Sequence, residues 1–137
     1  IFDFSYVIGG GNGFIRHSQT VAIVSLGLEI PSFYLTKKTF IHRLGSYRDI
    51  DFEFAQNFSK NYHLLGSDEE AIRKLFSSNI LTFFEGLNPK YTVEAINGEL
   101  AIFLPNKKIK PVEIDNFVQK VSQIATVFHR ALERSSN

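Results

Sequence analysis

At 137 residues the chain has the length of one domain, enough to bury roughly two-thirds of its unfolded surface without help from a metal or a disulfide. The absence of Cys excludes disulfides, thiolate-held zinc and thiol catalysis, and a net charge of +1 sets up no overall field to hold nucleic acid or an anionic membrane. Phenylalanine is the peculiarity: 14 Phe stand beside no Trp and no Met, so most of this apolar mass is expected in the core, and a Phe-lined pocket for an apolar ligand is its other possible use.

Phe2, Phe4, Tyr6 and Ile8 alternate with Asp3, Ser5 and Val7, which is strand periodicity. The Gly-rich stretch 9–13 that follows is a hairpin loop and not a phosphate loop, because no helix opens after it and no Lys-Ser/Thr closes it. A second strand is expected over residues 14–26. Its first half is polar and runs past the core. In its second half Val21 and Ile23 share one face and Ala22, Val24 and Leu26 the other, so that end is expected to be covered on both sides. Residues 27–31 turn the chain into a third strand, 32–35. Thr36 is then placed to cap a short helix over 37–44, with Phe40, Ile41 and Leu44 inward.

Asp49, Asp51 and Glu53 would share one face of an extended segment, with Ile50, Phe52 and Phe54 on the other. Three carboxylates on one face are weak candidates for a hard cation. A solvated edge is the simpler reading, and no metal or other cofactor is expected. Phe58 is read as the anchor of the next loop.

The chain is organised around residues 62–87. A short apolar strand, 62–65, runs through Gly66 into an amphipathic helix. Ser67 as N-cap and Glu70 three residues on make a capping box. Ile72, Leu75, Phe76, Ile80, Phe83, Phe84 and Leu87 form one buried stripe. The pairs Glu69–Arg73 and Glu70–Lys74 account for the acidic first turn without a catalytic role. Ser77, Ser78 and Asn79 compete for backbone hydrogen bonds, and the helix is expected to kink or restart there.

Residues 91–96 and 99–104 flank Asn97-Gly98, the strongest short-range hairpin signal. The loop 105–110 gathers Lys107, Lys108 and Lys110 into the one local basic patch, a candidate contact for an anionic partner or lipid head group. Pro111 opens a last long helix whose buried stripe is Ile114, Phe117, Val118, Val121, Ile124, Ala125, Phe128 and Leu132. Residues 1–134 thus read as a single α+β domain and 135–137 as a frayed tail. The architecture is a mostly antiparallel sheet of about six strands with two long helices and one short one.

No G-x-S-x-G or H-E-x-x-H motif is present, and His17, His42, His63 and His129 lie on four different elements without ligand spacing. His63 is the one to watch, since it sits in the organising strand. Several phrases occur together: Arg16-His17-Ser18-Gln19-Thr20-Val21, Pro31-Ser32-Phe33-Tyr34-Leu35, Asp49-Ile50-Asp51-Phe52, and Tyr62-His63-Leu64-Leu65-Gly66 before Asp68-Glu69. In this order they resemble an uncharacterised family of bacterial soluble α+β domains that often follow a pair of N-terminal transmembrane helices. The resemblance carries no catalytic residue. With no catalytic motif in the chain, the first reading of function is a non-catalytic interaction or sensing domain with a membrane-proximal protein partner, and the net charge of +1 argues against nucleic acid. The chain also starts at Ile1 with no Met, so it is expected to be the soluble part of a longer, membrane-anchored protein. The alternative is a small-molecule or lipid-binding domain using a Phe-lined space.

Overall fold

The computed structural model describes residues 1–10, 13–38 and 49–135. Its centre is a six-stranded sheet built from β1 (Phe2–Gly10), β2 (Gly13–Ser25), β3 (Phe33–Lys37), β4 (Tyr62–Leu65), β5 (Thr92–Ile96) and β6 (Glu99–Phe103). The spatial order is β1-β2-β6-β5-β3-β4, and every neighbouring pair is antiparallel. Four α-helices are present among the described residues: α1 (Gln56–Asn61), α2 (Glu69–Leu75), α3 (Ser78–Gly86) and α4 (Ile114–Ser135). This is the α+β arrangement expected from the alternation of strand and helix periodicities.

Register decides which face the helices cover. Ala22 stands opposite Ile102, Ile102 opposite Val93, Val93 opposite Leu35, and Leu35 opposite Leu64. This row is fully buried and joins one core with Ile72, Phe76, Ile80, Phe84, Ile124 and Phe128 from the helix side. Phenylalanine fills that layer ring against ring. Phe33 lies 5.1 Å from Phe76, edge-on, and 5.4 Å from Phe128, which in turn lies 5.7 Å from Phe84. Such pairs add to the burial of apolar area that dominates the folding free energy.

The stretch after Gly66 departs from the expected single helix in two ways. It is divided at Phe76-Ser77 into α2 and α3, the restart that Ser77, Ser78 and Asn79 foretold, and both halves keep the same buried face. The N-cap is Asp68, not Ser67. Asp68 Oδ1 accepts from the Ala71 backbone N–H at 3.1 Å, while Ser67 lies outside the helix and Glu70 reaches towards Lys74 instead of back to a cap. A carboxylate one residue later satisfies the orphan donor as well as a hydroxyl and also suits the positive end of the helix.

Thr36 does not cap a helix. It lies in β3, which runs to Lys37, and its hydroxyl bonds the Thr92 hydroxyl at 2.8 Å. The rest of the short helix expected over 37–44 lies outside the described residues. Residues 49–54 are not a strand. The Ile50 N–H donates to the Leu64 carbonyl at 2.8 Å, and the chain then turns at Glu53-Phe54, leaving Phe54 72% exposed rather than inward. Phe58 is buried as expected, but within α1 rather than in a loop. Ile23 is 45% exposed, so of the pair Val21 and Ile23, Val21 alone is covered. The Asn97-Gly98 turn is present with both residues at positive φ, joining Ile96 to Glu99. Pro111 opens a single 3-10 turn, Pro111–Glu113, ahead of α4, and Ser135 is still helical.

Candidate functional site

Two regions gather side chains that packing alone does not explain. The first is the sheet face away from the helices. On it Phe2, Phe4 and Tyr6 stand opposite Val21, Gln19 and His17, and Val21 and Ile23 stand opposite Phe103 and Ala101. Strand alternation, which buries Ala22 on one side, leaves this row outward. Phe2 and Phe4 are each 47% exposed, Tyr6 39% and Ile96 49%. Tyr6 stacks on His17 with ring centres 4.9 Å apart, and Phe4 lies 5.9 Å from Tyr6. Towards β4 the same face is closed, and Thr36, Thr92 and His63 are buried.

The second region is His63. Its Nδ1 lies 2.6 Å from Asp49 Oδ2 and its Nε2 lies 3.2 Å from the Lys38 carbonyl oxygen. Both partners are oxygen acceptors, so the ring stands between a carboxylate and a backbone carbonyl. Around it Lys38 Nζ donates to the Ser59 carbonyl at 2.5 Å, and the Ser59 hydroxyl accepts from the Phe52 N–H at 2.8 Å. A His–Asp pair resembles half of a catalytic relay, but a general base must reach a substrate proton. Here the second nitrogen is taken by Lys38 and the side chain is 3% exposed. The pair ties backbone segments together.

The three acidic candidates are not gathered. Asp49 serves His63, Asp51 is exposed with its carbonyl accepting from Arg73 Nη1 at 2.8 Å, and Glu53 is exposed in the turn. Among the described residues no group of three or more His, Cys, Asp or Glu is placed to hold a metal.

The lysine loop is sewn to β2. The Lys107 carbonyl accepts from the Thr20 N–H at 3.0 Å, and the Ile109 N–H donates to Thr20 Oγ1 at 2.8 Å. Thr20 Oγ1 donates in turn to Asp3 Oδ1 at 2.6 Å. Lys107 pairs with Glu113 at 3.3 Å, while Lys108 and Lys110 are exposed. The basic loop therefore sits against β2, and the Thr20 hydroxyl links it to Asp3 at the start of β1. Gln19 and Thr20 carry this junction, although the strand half they belong to reads as a plain polar extension. Its one legible signal is the placing of two hydrogen-bonding side chains just ahead of the apolar run.

Two of the surface clefts among the described residues border β3 and the turn before it. One of about 750 Å³ lies between the 27–32 turn, the Asn97-Gly98 turn and Asp68. The other, about 470 Å³, is walled by Phe33, Leu65, Ala95 and Ile96 with Tyr34 and Glu94 at its polar side. Burial raises the Tyr34 phenol above its ordinary pKa, against a lowering hydrogen bond from Thr36. Among the described residues no helix is long and apolar enough to cross a membrane. Compared with family models, with curated proteins and with solved structures, the chain finds no match in any of the three.

Proposed function

We propose that this is a non-catalytic interaction domain that binds a protein partner through the uncovered aromatic end of its sheet. The observation that carries the reading is the exposed row Phe2, Phe4 and Tyr6, continued by Ile23 on the next strand. Large apolar side chains in one contiguous patch, beside a polar rim, mark association surfaces. Photo-reactive phenylalanine placed at Phe4 or Ile23 tests it, with Ser122 on the outer side of α4 as control. Adducts of defined mass from the two sheet positions and none from Ser122 support the reading. No adduct from either sheet position, or equal adducts from all three, sinks it.

The same reading sets the domain on a membrane-anchored chain, as in the family it resembles. It is supported by the lysine loop, which is bonded to Thr20 of β2, the neighbour of the strand that an anchor ahead of Ile1 would enter. Near an anionic leaflet each such lysine contributes roughly 1 kcal/mol. The residues encoded ahead of Ile1 test this, two apolar runs of about 20 residues being the expected result. A short polar leader in a protein found only in the soluble fraction would overturn it.

A second reading, a small-molecule or lipid site, is favoured by the cleft of about 470 Å³ beside Leu65, Ala95 and Ile96, whose size suits a small ligand. Among the described phenylalanines only Phe33 lines it. Fatty-acid binding that Ile96→Trp abolishes would support this reading, and binding unchanged by that variant would remove it.

A further inference from the structure

We infer that a partner of this surface is a second copy of the chain, joined by antiparallel pairing of β1 with β1 about a twofold axis normal to the sheet; the inference rests on the interaction reading above.

Among the described residues β1 ends the sheet, so the outer edge of a nine-residue strand carries backbone N–H and C=O groups that no described strand pairs. The opposite end is closed. β4 has four residues, all buried, and the Ile50 N–H covers its Leu64 carbonyl. Edge strands of monomers are guarded by Lys, Pro, a bulge or a short length. β1 has no Pro, no Lys and no Arg, and its register with β2 runs without a break from Phe2 to Gly10. Its one charge, Asp3, is drawn sideways onto Thr20 Oγ1 at 2.6 Å and does not guard the edge.

An open row of alternating backbone donors and acceptors is satisfied by an extended strand, which fixes the chemistry of the occupant. β1 is its own complement. Centred on Ser5, an antiparallel register sets each Phe4 opposite the copy's Tyr6 and each Asp3 opposite the copy's Val7, so no like charges meet. Pairing in this sense keeps equivalent faces on one side, so the two aromatic rows fuse into one surface. A nine-residue edge is small beside the roughly 1,600 Å² of a standard interface, so the association is reversible and concentration-dependent.

Sedimentation equilibrium across protein concentrations tests the inference. Ser5 and Val7 are both exposed, so lysine at either leaves the fold intact, which circular dichroism checks. Ser5→Lys sets two like charges opposite each other on the axis and should weaken the dimer roughly tenfold or more. Val7→Lys adds the same charge opposite Asp3 and should not weaken it. The chain has no cysteine, so Ser5→Cys carries a single thiol and should oxidise to a dimer much faster than Ile23→Cys, which lies away from the edge. A wild-type monomer at every concentration, equal weakening by the two lysine variants, or equal oxidation of the two cysteine variants would each overturn the inference. If the chain stays monomeric while Phe4 still captures another protein, self-pairing fails and the interaction reading stands. If no adduct forms at all, that reading fails as well.

Discussion

His63 and Asp49 are joined at 2.6 Å across the edge of the sheet, and the same imidazole reaches the Lys38 carbonyl at 3.2 Å. One buried ring thus holds both residues that bracket positions 39–48. His63→Phe removes both contacts and leaves the carboxylate and the carbonyl without the ring. The expected loss is about 1–3 kcal/mol, the cost of orphaning buried polar groups, read from urea melts. Hydrogen exchange should show backbone protection falling first at Ile50 and Phe52, whose N–H bonds to Leu64 and Ser59 depend on the same junction. A variant as stable as the parent would show that the pair is idle.

Gly66 joins β4 to α2 in a space with no room for a methyl group. A Cβ there would overlap Ile72 Cδ1 and stand 2.8 Å from the Ser32 carbonyl oxygen. The side chain can shift but the backbone oxygen cannot do so cheaply. Gly66→Ala is therefore expected to cost about 1–3 kcal/mol in chemical denaturation, the range for overpacking. Gly86→Ala, which meets nothing within 4 Å, serves as the control and should be tolerated.

Asp68 and Ser67 are neighbours with different duties. Only Asp68 accepts from the first turn of α2. Asp68→Ala should lose about 0.5–2 kcal/mol and Ser67→Ala almost nothing, as thermal melts at matched pH would show. The reverse order would restore Ser67 as the cap.

Tyr62 is buried, and its hydroxyl donates to the Phe84 carbonyl at 3.0 Å. Burial pushes its phenol well above the ordinary value of 10.0, and it moves Tyr91 the same way. A folded pKa above the unfolded one means that the folded chain keeps a proton the unfolded chain gives up. The stabilisation is complete below pH 10.0 and is lost as pH rises from there towards the folded value. Urea midpoints should hold steady up to that point and fall beyond it. Tyr62→Phe should lose about 0.5–1.5 kcal/mol at neutral pH, since Leu87 N–H still serves Phe84, and should fall less steeply in alkali. Parallel alkaline slopes in the two proteins would refute the assignment.

Local chemistry made much of this fold legible. Asn97-Gly98 admits few conformations other than a tight hairpin, and Ser77-Ser78-Asn79 interrupts helical hydrogen bonding wherever it falls. The misreadings share a cause. Alternation at 49–54 has the period of a strand, yet the segment meets the sheet through a single backbone bond from Ile50 to Leu64. α1 escaped notice because Phe58 is its only buried residue, and one apolar side chain has no period. Ser67 and Asp68 are both good caps, and sequence alone does not rank adjacent candidates. His63 and Asp49 are 14 positions apart with no motif between them, so only the folded edge of the sheet brings them together. Alternation places Phe2, Phe4 and Tyr6 on one face, but which face the helices cover follows from long-range register.

β2 lends its residues to two partners: Gly13 to Val21 pair with β1, and Val21 to Ser25 with β6. The described side chains of β1 contribute nothing to the buried core cluster. Tension applied through Ile1 would therefore peel a ribbon and leave the core unstrained. The rungs open singly from Phe2 and Val21 towards the Gly10–Gly13 end, each yielding before the next takes strain. Nine residues at about 3.3 Å apiece release roughly 30 Å of slack before the pull reaches the packed layer of phenylalanines. A domain attached through that strand carries its own shock absorber.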